Sequence, residues 1–81
     1  MPKLKTLSGR DVIKILALFD FAVAARKGSH IKLVRTLADG EKQALTIPDH
    51  SELDKGTLKA IFRQASRYIP ETELKPHFYS E

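Results

Sequence analysis

The sequence predicts an α+β fold with the element order α-β-β-β-α. Apolar residues recur at helical spacing in residues 8–19 and 56–67, whereas three short segments between them alternate apolar with polar residues. Glycine-containing breaks separate these segments, as is typical of antiparallel hairpins. Since all five elements must share one core, we expect a three-stranded antiparallel sheet with both helices on one face.

The first helix is predicted to span Ser8 to Phe19. Ser8 is a good N-cap, and Asp11 three residues later gives a start that resembles a capping box. Val12, Leu16 and Phe19 follow at the i, i+4 and i+7 positions, which indicates that this face of the helix is buried.

Three strands are predicted at residues 21–26, 30–36 and 43–47. The third ends at Pro48, because proline cannot donate a hydrogen bond to a sheet ladder. Alternation places one set of apolar side chains from each strand on the same face, which we expect to pack against the helices.

Loop length determines which residues pair across the strands. In the second hairpin the apolar residues share one face only if Ala38–Gly40 form a three-residue loop with a left-handed glycine. Ile31 then lies opposite Ile47, and Leu33 lies opposite Leu45.

The first hairpin surrounds Gly28-Ser29-His30. Its apolar residues likewise share one face only if there is a three-residue loop, or a bulge, at these residues. His30 then lies at the turn. Arg26 and Lys32 are expected to be cross-strand neighbours on the outer face of the sheet, close to His30.

The second helix is predicted from Gly56 to about Arg67, with one apolar face towards the core. Another face carries a cation at every fourth residue, a spacing that advances about 40° per step and so forms one slanting stripe. This basic stripe consists of Lys55, Lys59, Arg63 and Arg67.

The two ends of the chain carry weaker signals. Residues 1–7 form a short arm with two lysines. The tail from Tyr68 to Glu81 has no regular apolar pattern and contains two prolines. One helical turn is predicted to start at Pro70, reach Leu74 and end at Pro76.

With 81 residues the chain can build one small core, so we expect a single domain over residues 1–81, with its core in residues 4–66 and a tail at 67–81. An apolar fraction of 42% and a charged fraction of 30% are typical of a globular protein. The side chains predicted to be buried are Val12, Leu16, Phe19, Phe21, Val23, Ile31, Leu33, Leu45, Ile47, Leu58, Ile61, Phe62 and Ala65.

Composition also restricts the class of protein. No apolar run approaches the roughly 20 residues of a membrane span, and no secretory leader is visible. The chain has no cysteine, which excludes thiolate zinc sites and favours the reducing cytoplasm. The net charge of +4 is a moderate excess, which fits a domain that binds nucleic acid or an acidic protein, or one that is basic for solubility alone.

His30 is the leading candidate for chemistry. Its neutral imidazole can take a proton from a ribose 2′-hydroxyl, and the imidazolium can return one to the leaving oxygen. The nearby cations Arg26, Lys27 and Lys32 can stabilise charge that develops on the phosphorane. The alternative is an exposed turn histidine with no catalytic role. Ser29 is a poor catalytic partner, because adjacent residues in extended chain point apart.

The other histidines are weaker candidates. His50 either supports His30 or satisfies loop backbone, and His77 is expected to be exposed. A metal site would require His30, His50 and a carboxylate such as Asp49 to converge, and no ligand spacing supports one. We therefore expect no metal and no other cofactor.

The cations are the candidates for RNA binding. A basic helix face is usually only solvated, but here it occurs together with further cations at the turn and in the arm. Lysine and arginine placed in this way suit contacts with a phosphate backbone, which do not distinguish one base from another. The candidate RNA-binding residues are Arg26, Lys27, Lys32, Lys55, Lys59 and Arg63.

The chain resembles the HicA toxins of bacterial toxin–antitoxin pairs, a family also called mRNA interferases. Four motifs carry the resemblance in this order and spacing, and they lie within about Leu4 to Ser66. They are Leu7-Ser8-Gly9-Arg10, Lys27-Gly28-Ser29-His30, Thr46-Ile47-Pro48-Asp49-His50, and the segment from Lys55 to Ala65.

This resemblance implies a double-stranded-RNA-binding-domain-like fold and metal-independent cleavage of mRNA. The catalytic histidine of the Gly-Ser-His motif falls on His30. Gly28, Ser29 and His50 fall on motif positions and are possible supporting residues. The implied partners are RNA and a HicB-like antitoxin protein that neutralises the toxin, with no membrane and no small-molecule cofactor.

The chain departs from the family pattern in three places. Members often have glycine where Asp20 stands, and many have glycine where Ser66-Arg67 stands, so the second helix is expected to run on. The tail from Tyr68 replaces a more usual helical ending.

Two other functions fit the same residues. A non-catalytic module could use the basic stripe to hold double-stranded RNA without cutting it. A protein kept only as a partner for another chain is the third class.

Overall fold

The computed structural model describes residues 2–80, and the order of its elements includes the predicted α-β-β-β-α series. Met1 and Glu81, which belong to the predicted arm and tail, lie outside the described residues. The helices are α1 (Gly9–Ala17), α2 (Lys55–Ala65) and α3 (Glu71–Phe78). The strands are β1 (Lys3–Leu4), β2 (Ala22–Lys27), β3 (His30–Thr36), β4 (Lys42–Pro48) and β5 (Tyr79–Ser80).

The main sheet is antiparallel with the strand order β2-β3-β4, so β3 is the central strand. The buried residues of β3 and β4 alternate with exposed ones and join the buried residues of α1 and α2 in one core cluster. This arrangement confirms the predicted fold class.

The second hairpin has the predicted register. Ile31 pairs with Ile47 and Leu33 pairs with Leu45. The loop turns at Gly40, which has a φ of +90° and whose N–H donates to the carbonyl of Leu37 at 2.9 Å. One apolar face on each strand was therefore sufficient to fix this pairing.

The first hairpin differs from the prediction. Its turn has two residues, Gly28 and Ser29, and Lys27 pairs directly with His30. Gly28 has a φ of +60° at the first central position, as in a type II′ turn.

The predicted bulge lies inside β2, between Val23 and Ala25, where the pairing with β3 shifts by one residue. Ala25 therefore pairs with Lys32, and Arg26 pairs with Ile31 on the helix side of the sheet. The predicted pairing of Arg26 with Lys32 is wrong, because the bulge is in the strand and not in the turn.

Most of the predicted core is buried, with three exceptions. Phe19 and Phe62 are only partly buried and pack against the core from its rim. Val23 is 58% exposed, because β2 is an edge strand whose residues are all exposed. The core also takes in Leu7, Leu53, Ile69, Leu74 and Phe78.

α2 ends earlier than predicted, at Ala65. The Ser66 hydroxyl donates to the carbonyl of Phe62 at 2.7 Å, and the Ile69 N–H returns to the carbonyl of Ala65 at 2.9 Å. Arg67 therefore lies in a turn and does not continue the helical stripe.

The tail is more ordered than predicted. Helix α3 passes through Pro76, which was expected to end it, and continues to Phe78. Leu74 and Phe78 are both 0% exposed, so packing on the core compensates for the backbone hydrogen bond that proline cannot make. β5 then pairs with β1, with Lys3 opposite Ser80.

Arg35 is a structural arginine that periodicity does not reveal. Its guanidinium donates to the side chain of Gln43 and to the backbone carbonyls of Phe19 and Tyr68, at 2.6–3.1 Å. It also lies 4.9 Å from the centre of the Phe21 ring. Arg35 thus joins the sheet to the end of α1 and to the start of the tail.

The exit from α1 is a Schellman-type end. The Phe21 N–H donates to the carbonyl of Leu16, and the N–H of Asp20 donates to that of Ala17. Asp20 occupies the left-handed position of this motif with a φ of +71°. Glycine is the usual residue there because it has no Cβ.

Replacing Asp20 with Gly should therefore raise the free energy of unfolding, by about 0.5–1 kcal/mol. Asp20→Ala is the matched control, since it keeps the Cβ and should give no gain. Chemical denaturation measures both variants. An Asp20→Gly protein less stable than the parent would contradict this account.

Candidate functional site

His30 is the first residue of the central strand and is exposed. It pairs with Lys27 on one side and with Pro48 on the other. Residues paired across a sheet share a face, as do residues two apart along a strand, so Lys27, His30 and Lys32 lie on the same face. Ile31, between the last two, points to the core. The outer face at this end of the sheet therefore presents one imidazole between two lysines.

The turn that leads to His30 is held in place from the neighbouring loop. The Asp49 N–H donates to the carbonyl of Ser29 at 2.6 Å. Together with the left-handed Gly28, this bond fixes the backbone just before His30. Gly28 and Ser29 thus support the site through their backbone, and no hydrogen bond joins the side chains of Ser29 and His30 in residues 2–80.

The Asp49 side chain is the centre of an ion-pair cluster on the helix side of this turn. Its carboxylate accepts from Arg26 Nη2 at 2.7 Å and lies 3.5 Å from Arg10 Nε. Only 12% of the Asp49 side chain is exposed. The Arg26 hydrogen bond lowers the pKa of Asp49 below its ordinary value, and the charges of Arg26 and Arg10 add to this effect.

Helix α1 abuts the same segment. The Gly9 N–H donates to the carbonyl of His50 at 2.9 Å. A Cβ on Gly9 would overlap the carbonyl oxygen of Pro48, so glycine is required at this contact. The start of α1, the end of β4 and the turn before His30 therefore meet at Asp49.

The predicted site residues separate into groups. Lys27 and Lys32 accompany His30, as predicted. Arg26 does not, because it faces the helices and is paired with Asp49. His50 is exposed in the loop before α2, where Asp54 caps the helix and has its pKa lowered mainly by the hydrogen bonds with Thr57.

The basic stripe lies in the helix layer. Lys55, Lys59 and Arg63 are exposed on α2, and none of them has a carboxylate within ion-pairing distance in residues 2–80. The opposite face of α2 is buried against the sheet. The stripe and the His30 face therefore belong to different layers of the molecule.

Sequence reasoning missed Gly9 and Arg10 as supports of the site, and it considered Asp49 only as a metal ligand. Their signal was present, since all three lie within the motifs that carry the family resemblance. In the described chain, no group of three histidine or acidic side chains is placed to hold a metal ion. No described helix has the length and apolar character to cross a membrane.

The fold and the site together define a class: a small α+β protein of double-stranded-RNA-binding-domain-like arrangement that presents one histidine among cations. A family model described as the HicA toxin of bacterial toxin–antitoxin systems matches residues 9–66 of the 81-residue chain. The chain therefore belongs to the HicA toxin family and is the toxin of a toxin–antitoxin system. Comparisons with curated proteins and with solved structures found no match.

The Asp49 cluster predicts how stability responds to acid. The pKa of Asp49 is lower in the folded state than its ordinary value of 3.8. Its ion pairs therefore stabilise the fold fully at pH values above 3.8. This contribution is lost as the pH falls through the lower, folded-state pKa. Asp49→Asn should therefore be less stable than the parent at pH 7, and the difference should shrink in acid.

Urea denaturation at pH 7 and at several acidic pH values measures this difference. Glu52→Gln is the matched control, since it removes an exposed carboxylate of the same loop that has no ion pair in residues 2–80. A stability difference for Asp49→Asn that stays constant down to pH 2 would argue against the cluster.

Proposed function

We propose that this toxin is a metal-independent endoribonuclease that cleaves mRNA in the cytoplasm with His30 as its acid-base residue. The single observation that supports this most is the exposed His30 between Lys27 and Lys32 on the outer face of the sheet. Membership of the HicA toxin family supports the same reading.

The proton transfers of the proposed reaction involve only the imidazole and the RNA itself. Neutral His30 accepts the proton of a ribose 2′-hydroxyl, and the 2′-oxygen attacks the adjacent phosphorus. The bond to the 5′-oxygen breaks, that oxygen receives a proton from the imidazolium, and a 2′,3′-cyclic phosphate remains. Lys27 and Lys32 stabilise the charge that develops on the phosphate oxygens.

The proposed partner is a HicB-like antitoxin that covers His30 and the cations around it. An acidic surface on this antitoxin would complement Lys27 and Lys32 and speed association at low salt. Protection of His30 in the complex from modification by diethyl pyrocarbonate is the expected result, and equal modification in the free and bound protein would exclude occlusion.

A non-catalytic double-stranded-RNA-binding module is the alternative. The basic stripe on α2 favours it, because Lys55, Lys59 and Arg63 lie in the helix layer and not beside His30. The two functions differ in one result, since a binding module keeps its RNA intact.

His30→Ala removes a proton carrier but no buried apolar group. Cleavage of RNA should fall by about 10²-fold or more, the usual share of one acid-base residue. Stability should change by less than about 1 kcal/mol, as for other surface substitutions. RNA affinity should be retained because the lysines remain. Gel analysis of cleavage, with and without EDTA, and thermal unfolding measure these effects.

His50→Ala is the matched control, an exposed histidine in the neighbouring loop. We expect it to reduce cleavage by much less than His30→Ala. A folded His30→Ala protein that binds RNA and cuts at the parental rate would eliminate this mechanism.

Lys59 and Arg63 are proposed to contact phosphates. Replacing both with Gln should weaken RNA binding evenly across sequences and reduce the slope of log affinity against log salt by about one to two. Lys42→Gln is the control, since Lys42 starts β4 at the end of the sheet remote from His30. A double variant with the parental salt slope would remove these residues from the interface.

A further inference from the structure

A cleft of about 290 Å³ separates α2 from the tail, and the proposed function uses only the two cations on one of its walls. One wall comes from the basic face of α2. The other comes from α3 and β5, which lie beyond the residues matched by the family model. The lining residues are Lys59, Phe62, Arg63, Ser66, Glu71 and Tyr79.

The aromatic part of the cleft is held by the core. The rings of Tyr79 and Phe62 are 5.4 Å apart and nearly perpendicular, and Phe62 packs in the same manner against Phe78. Phe78 is fully buried, whereas Tyr79 is only partly buried and lines the cleft. Tyr79 is therefore a pre-positioned aromatic ring at a site that solvent can reach.

The polar part of the cleft has both signs of charge. Lys59 and Arg63 are one turn apart on α2 and have no ion-pair partner in the part of the chain that the structure describes. Glu71, at the start of α3, lies on the opposite wall. Two cations suit one phosphate, whereas a carboxylate disfavours a second anion and can accept hydrogen bonds from the N–H groups of a base.

We propose that this cleft binds one unpaired nucleotide of a single-stranded RNA. Its phosphate lies between Lys59 and Arg63, its base stacks on Tyr79, and Glu71 accepts a hydrogen bond from the base. Stacking on an aromatic side chain is how proteins hold splayed, single-stranded bases, and a paired base inside a duplex cannot reach such a ring. This inference rests on the proposed binding of RNA and adds that the tail selects single-stranded substrate.

The test measures binding of a fluorescein-labelled 2′-O-methyl hexaribonucleotide by fluorescence anisotropy, beside a 16-base-pair duplex. The 2′-O-methyl groups remove the nucleophile, so binding is read independently of cleavage. Tyr79→Leu should weaken binding of the single strand about fivefold or more, the effect of losing one stacked base, and leave duplex binding unchanged. Tyr79→Phe, which keeps the ring, should bind as the parent does.

Tyr68→Leu is the matched control, because Tyr68 is the other tyrosine, is also partly buried, and packs on Phe21 outside this cleft. A second measurement needs no variant: a 2-aminopurine base within the hexamer should lose fluorescence when it stacks in the parent protein. Absence of this quenching would overturn the proposal even if Tyr79→Leu failed to fold.

Other outcomes are equally decisive. A folded Tyr79→Leu protein that binds the single strand like the parent, or that loses duplex binding equally, would overturn the proposal. Displacement of the labelled hexamer by AMP at a concentration equal to that of unlabelled hexamer needed for displacement would assign the cleft to a free nucleotide, against the proposal. The proposed ribonuclease is tested separately with unmodified RNA. If cleavage of that RNA does not depend on His30, the proposed function fails whatever the result of the binding test.

Discussion

The close approach of α1 to the end of β4 is the constraint on which the rest of the structure depends. Gly9 lies so close to the backbone of Pro48 that no side chain fits there, and its N–H donates to the carbonyl of His50 in the next loop. This contact places Arg10 beside Asp49, which Arg26 reaches from the sheet. Helix, strand and turn are thereby joined through one carboxylate.

The same junction explains why His30 needs no contact of its own to be held. Its backbone is fixed on one side by the turn at Gly28 and on the other by pairing with Pro48. Asp49 also bonds the carbonyl of Ser29. The His30 side chain makes no hydrogen bond within residues 2–80 and is therefore available to a ligand, while pairing on both sides positions its backbone.

The register of β3 and β4 was predictable because Leu33 and Leu45 must both be buried. The register of β2 was not, because its residues are exposed on both faces and no buried side chain selects the position of the bulge. That bulge moved Arg26 to the helix side. Its partner Asp49 is 23 residues away, so no local pattern could pair them. The passage of α3 through Pro76 was likewise decided by the packing of Phe78.

The pairing of β1 with β5 makes folding depend on the order of synthesis. Lys3–Leu4 is synthesised more than seventy residues before its partner Tyr79–Ser80. Until Phe78 and Tyr79 are made, Phe62 lacks their aromatic rings, and the apolar surface beside α2 stays uncovered. The small terminal sheet can therefore close only after residue 80 has been made and has left the ribosome.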